Sequence, residues 1–137
     1  MNKSNINWKQ NIKNTTKRVF IWTVLWVLSV ALLTFGPKIL WDFETGLTLA
    51  AAGLNILIGI KMIFTLKNNL DSIDELAQKI HRDAMAIAMG TGVVIGTCYE
   101  IFEDVKLITF QPEISHLLIL ITITYVMSLA IGTAKYK

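Results

Sequence analysis

The chain is poor in the residues that carry most protein chemistry. Of its 137 residues one is cysteine, two are histidine and two are proline. A single Cys98 excludes an internal disulfide and any CxxC redox or zinc arrangement, and reads as an inert packed thiol. No Ser-His-Asp set, Walker loop, HExxH helix or GxGxxG turn occurs, so enzyme chemistry has little to work with and no cofactor is expected. Charge is scarce too: 17% of residues, where a soluble domain carries about a quarter. Acidic residues are missing altogether before Asp42.

What fills the chain is apolar. Hydrophobic residues make up 53% and the mean hydropathy is +0.52, which points to lipid as solvent. The length suits a single domain. A net charge of +3 and a pI near 9.1 would raise nucleic acid as a partner in a soluble protein. Here the cations follow membrane sidedness instead, and no nucleic-acid partner is expected.

Residues 1–18 form a basic leader with Lys3, Lys9, Lys13, Lys17 and Arg18. It is expected to be disordered, the alternative being an interfacial anchor on anionic lipid. The remaining 19–137 reads as one all-α integral membrane domain, a four-transmembrane-helix bundle with helices near 19–36, 45–66, 72–103 and 114–135. The first apolar run, Val19 to Phe35, closes at Gly36-Pro37 and exceeds a signal-peptide core, so a retained signal-anchor is expected. Trp22 and Trp26 read as interface anchors or as packing against neighbours. In the second run Asn55 is the strongly polar group near mid-span, in a four-spaced row with Ala51 and Gly59 that suits interhelical hydrogen bonding; the alternative is a ligand group for transport.

Lys67 to Leu70 reads as a turn. Ser72 and Glu75 have capping-box spacing, and Ile73, Leu76, Ala77 and Ile80 trace one apolar face. The third helix is thus predicted to start in water and enter the bilayer near Ala84. Inside it Ala84, Ala88, Gly92 and Gly96 recur every four residues, the small-xxx-small pattern of close helix packing in lipid, within one chain or between copies. Thr124, Ser128 and Gly132 form a similar row on the fourth helix.

With the amino terminus in the cytoplasm, eleven of the thirteen Lys and Arg residues fall inside and only Lys38 and Lys106 outside. The positive-inside rule therefore predicts an N-in/C-in topology, with the third helix extended into the cytoplasm. A soluble four-helix bundle is excluded by Val19 to Phe35, which contains no charged residue.

The outer ends gather Asp42, Glu44, Glu100, Glu103, Asp104, Glu113 and His116. Glu100, Glu103, Asp104 and His116 are weak candidates for a divalent cation, against the plainer reading of a solvated acidic rim. Glu100, flanked by Tyr99, Ile101 and Phe102, is an intramembrane polar candidate of the kind that marks ion or proton paths, though it lies near the end of its span. His81, amid charged neighbours, reads as a surface histidine.

The segment DELAQKIHRDAMAIAM resembles a box in an uncharacterised family of small bacterial four-helix inner-membrane proteins, in which an LDELQ-like sequence leads into the third transmembrane helix. Asp74, Glu75, Leu76, Lys79, Ile80, Asp83, Ala84, Ala86, Ile87 and Ala88 match, while Ile73, Ala77, Gln78 and Arg82 depart. The close match covers these sixteen residues. The resemblance implies a multi-pass protein of the bacterial cytoplasmic membrane, of a type often encoded beside a small helix-turn-helix regulator, and implies no activity. The function expected is a non-enzymatic interaction, assembly or regulatory module. Its partners would be the lipid bilayer and either a second copy or a membrane or cytoplasmic protein, docking on Asp74, Glu75, Leu76 and Ile80. The alternative is a small ion- or proton-coupled transporter or channel. The small multidrug resistance transporters carry a glutamate in their first helix, and this first helix has none.

Overall fold

The computed structural model describes residues 3–136 and is all-α over them. Met1 and Asn2 of the leader and Lys137 of the terminal basic pair lie outside the described residues. The helices are α1 (Lys3–Ile39), α2 (Thr45–Ser72), α3 (Glu75–Asp104) and α4 (Ile114–Lys135). Each is long and apolar enough to cross a membrane. The chain divides into two compact units, Met1–Ile73 and Asp74–Lys137, each an antiparallel helical hairpin.

The first hairpin is built on a heptad-like seam. Along α1 the buried and half-buried positions run through Ile12, Thr15, Val19, Trp22, Trp26, Ser29, Leu33 and Gly36, in alternating steps of three and four. Along α2 they run through Thr48, Ala51, Asn55, Ile58, Met62, Thr65, Asn69 and Ser72, with the same alternation. That 3.5-residue period keeps one stripe of each helix facing its partner, as in left-handed coiled coils. The seam extends beyond both predicted spans. The leader, expected to be disordered, continues α1 without a Gly or Pro break, and extending a formed helix needs no new nucleus. The predicted turn at Lys67 to Leu70 is likewise the last part of α2, where Asn69 and Ser72 find partners on α1.

Gly36-Pro37 was expected to close the first helix, which instead runs to Ile39. Proline removes one backbone donor, but its clash with the preceding residue is eased at Gly36, which has no Cβ. The Trp41 ring fills the space a Cβ on residue 36 would take. The chain then reverses through two left-handed residues, Asp42 (φ 41°) and Phe43 (φ 58°), with the Phe43 N–H donating to Pro37 O at 2.8 Å. Trp41 Nε1–H donates to Thr48 Oγ1 at 3.1 Å and ties this turn to the start of α2.

The second hairpin follows a different spacing. On α3 the buried residues are Ile80, Ala84, Ala88 and Gly92, four apart, with half-buried Gly96 next in the row. Four-residue ridges favour a crossing of opposite hand to the heptad seam, and small residues let the backbones approach. A Cβ on residue 92 would stand 2.7 Å from Ile121 Cδ1, and one on residue 96 would stand 3.0 Å from Leu117 Cδ1. These contacts run antiparallel, since Ile80 lies by Gly132 near the end of α4.

The predicted capping box is displaced by two residues. Asp74, not Ser72, is the N-cap of α3, its carboxylate accepting from the Ala77 N–H at 3.2 Å. Ser72 ends α2, donates to Asn69 O at 2.7 Å and pairs with Thr15 Oγ1 at 3.1 Å.

Candidate functional site

Polar side chains inside the two hairpins are few, and most are joined in pairs. In the first hairpin Asn55 Nδ2–H donates to Ser29 Oγ at 2.9 Å, and Ser29 donates in turn to Trp26 O at 2.7 Å. Ser29 is buried, and both residues occupy seam positions, which is why two helices bring them together. The intramembrane candidate Asn55 is therefore held by a hydroxyl 26 residues away in sequence. Sequence reading missed Ser29. Its signal was present in the heptad spacing from Trp22 and Trp26.

Toward the carboxyl end of α2 a second polar group closes the seam. Asn69 Nδ2–H donates to Thr15 Oγ1 at 3.2 Å and to Thr16 Oγ1 at 3.1 Å, beside the Thr15–Ser72 pair. About two turns nearer the middle, Lys61 Nζ lies 6.0 Å from the Trp22 ring centroid. Trp22 and Trp26 both sit half-buried in the seam, and the Trp26 indole packs where Gly59 leaves room for it.

In the second hairpin His81 is not a free surface histidine. It is half-buried, and its Nδ1 lies 2.7 Å from Tyr125 Oη, with the rings 6.2 Å apart and tilted. Tyr125 was missed because its partner is on the neighbouring helix, outside any local pattern. At the other end Tyr99 Oη lies 3.0 Å from His116 Nδ1, and Tyr99 also stacks obliquely on Phe110 at 5.9 Å. Beside this pair an open cleft of about 450 Å³ is lined by Glu100, Glu103, Glu113, Gln111 and Pro112 together with Gly96 and Leu117.

The weak metal candidates are not drawn into one site. Glu100 and Glu103 line the cleft, Asp104 is exposed at the end of α3, and His116 is bonded to Tyr99. Among the described residues no group of three or more His, Cys, Asp or Glu side chains is placed to hold a metal ion. Glu100 is exposed rather than enclosed by its aromatic neighbours. Cys98 is exposed as well, not packed.

The predicted docking face splits. Asp74, Glu75 and Leu76 are exposed, Leu76 at 44%, whereas Ile80 is turned into the hairpin against Gly132. Ala84, Ala88 and Gly92 are buried in the same hairpin, at the centre of the α3–α4 contact.

Compared with known proteins, the chain matches no family model, no curated protein and no solved structure.

Proposed function

We propose that the chain is a four-span integral membrane protein that works as a non-enzymatic interaction or assembly module, with both termini in the cytoplasm. The observation that carries this reading is the scarcity of buried apolar side chains beside the abundance of exposed ones. Among the described residues the buried apolar side chains are Ala51 in the first hairpin and Ile80, Ala84 and Ala88 in the second, while residues such as Phe20, Leu49, Ile63, Met89, Val94 and Ile131 stand more than half exposed. In water, fixing each backbone residue costs about 1–2 kcal/mol, and so small a core does not offset it for helices of this length. Lipid supplies the missing cover, because there the backbone is satisfied within each helix and the apolar faces need no protein partner.

The bacterial inner membrane enters on the resemblance of residues 74–89 alone. Charge asymmetry supports the orientation. The interaction role rests on the start of α3, where Leu76 stands exposed between Glu75 and Lys79 in a helix that has already buried Ile80. An exposed leucine flanked by charges on the water side of a membrane helix suits a protein surface better than lipid. The transporter alternative is weaker, since Asn55, the polar group deepest in its span, is engaged by Ser29.

Cross-linking in native membranes, followed by native mass spectrometry, tests the module. Leu76→Glu is expected to reduce the recovered assembly, whether with a second copy or with another protein, while leaving insertion intact. Recovery of the same assembly from wild type and variant, or of monomer alone from both, would sink the reading.

A further inference from the structure

We propose that the first hairpin carries a site for anionic phospholipid headgroups, a cationic collar made by Lys17 and Arg18 of α1 with Lys61 and Lys67 of α2. The proposal rests on the membrane-spanning reading and adds a lipid class and the residues that select it.

The pairing of α1 with α2 fixes where these residues lie. At one level Thr15 meets Ser72 and Thr16 meets Asn69. At another, Lys61 reaches over Trp22. Lys17 and Arg18 fall between these levels on α1, and Lys67 falls between them on α2. Two helices that belong to one seam thus bring cations 50 residues apart in sequence to a common band. All four side chains are exposed. Neither 17–22 nor 61–67 contains an acidic residue. Asp71, just beyond, engages Lys67 at 3.1 Å, but both side chains stay more than half exposed, so the pair is weak and water-screened.

The band has the depth of a headgroup layer. From Lys61 to Lys67 a helix rises about 9 Å. A bilayer of about 40–45 Å with a hydrocarbon core of about 30 Å leaves roughly 5–8 Å on each side for headgroups, and lysine stems extend that reach.

What lies above and below agrees. On one side of the band the exposed residues are apolar, Val27 at 54%, Leu28 at 60%, Ile56 at 60% and Leu57 at 66%. On the other side the seam turns polar, with the Thr15, Thr16, Asn69 and Ser72 hydrogen bonds. The change from lipid-facing to water-compatible surface falls at the collar. Lys9 and Lys13 continue up α1 at four-residue spacing, and Lys13, about 6 Å from Lys17 along the axis, is within a Debye length and adds to the field. Trp22 at the lower edge, beneath Lys61, places an indole where interfacial tryptophans reside. Phosphodiesters at this depth lie level with cations from both helices. A zwitterionic lipid offers the same phosphate but brings its own cation, which the collar repels.

The full chain and a Lys17→Gln, Arg18→Gln, Lys61→Gln, Lys67→Gln variant are reconstituted into vesicles of equimolar phosphatidylcholine and phosphatidylglycerol. Flotation and carbonate resistance score insertion, and native mass spectrometry of the gently extracted protein scores retained lipid. Each cation near an anionic surface contributes about fivefold to lipid partitioning, so the wild type is expected to retain the glycerol lipid over the choline lipid by about tenfold or more, and the variant to lose most of that preference, keeping only the remainder that Lys9 and Lys13 supply. A Lys38→Gln, Lys106→Gln variant, changed away from the collar, is expected to keep the wild-type ratio. Inserted wild type that holds both lipids equally, or a collar variant that keeps the wild-type preference, overturns the proposal. Chain that neither floats nor resists carbonate overturns the membrane-spanning reading and the proposal with it, and flotation tells that failure from the others.

Discussion

Ile80 packs its Cγ2 2.8 Å from the point where a Cβ on residue 132 would stand. The glycine is what admits the isoleucine, and the contact draws toward α4 a side chain whose sequence context suggests an outward docking face. Gly92 stands in the same relation to Ile121. Gly132→Val and Gly92→Val are therefore expected to destabilise the second hairpin by about 1–3 kcal/mol each, the usual cost of overpacking. Gly90, with nothing within 4 Å of its would-be Cβ, is expected to accept valine with a change of about 0.5 kcal/mol or less. Denaturation midpoints in one mild detergent separate the two classes, and equal effects at Gly90 and Gly92 would refute the packing.

Asn55 and Ser29 form the deepest polar contact of the first hairpin. Interhelical hydrogen bonds in membranes couple by about 0.6 kcal/mol on average and up to about 1.7. A double-mutant cycle of Asn55→Ala and Ser29→Ala is expected to give a coupling in that range. Zero coupling would mean that the two side chains act independently, each finding another partner.

The 2.7 Å contact between His81 Nδ1 and Tyr125 Oη restricts the imidazole. When the ring is neutral and the phenol donates, Nδ1 must be the acceptor and the proton must sit on Nε2. Nitrogen-15 spectra of the histidine-labelled protein are expected to show that single tautomer, and Tyr125→Phe to give a mixture. An unchanged spectrum in the phenylalanine variant would contradict the pairing.

Orientation is open to a chemical test. In a Cys98→Ser background, cysteines placed at Asp42 and at Lys106 are expected to react with an impermeant maleimide added to intact cells, and one at Asn68 only after permeabilisation. Labelling of position 68 from outside would reverse the topology.

Four apolar helices were legible because long apolar stretches with little charge declare themselves by length and composition, and each of the four shows both. Their ends were less so, for one recurring reason. Ser72-x-x-Glu75 and the neighbouring Asp74 compete for the same helix start, and local spacing favours the serine. The outcome turns on Thr15, 57 residues earlier, which engages the Ser72 hydroxyl and leaves the cap to Asp74. Thr15 and Thr16 likewise give the leader a helical partner that its composition does not announce. At the candidate sites the pattern repeats. Asn55, Ala84, Ala88 and Gly92 were visible from their own spacing, whereas Ser29 and Tyr125 acquire meaning only from the opposite helix.

The alternation of polar and apolar rungs along the first seam sets a limit on how that hairpin can move. Slipping α1 past α2 by one heptad would set Asn55 opposite a neighbouring seam residue, Trp22 or Gly36, neither with a hydroxyl to offer, and would part Asn69 and Ser72 from Thr15 at the same stroke. Lipid offers a stranded amide nothing in exchange. The two helices are toothed together like a ratchet without a second notch. Any movement of this hairpin is therefore expected as tilt or rotation of the pair, and not as a piston stroke of one helix against the other.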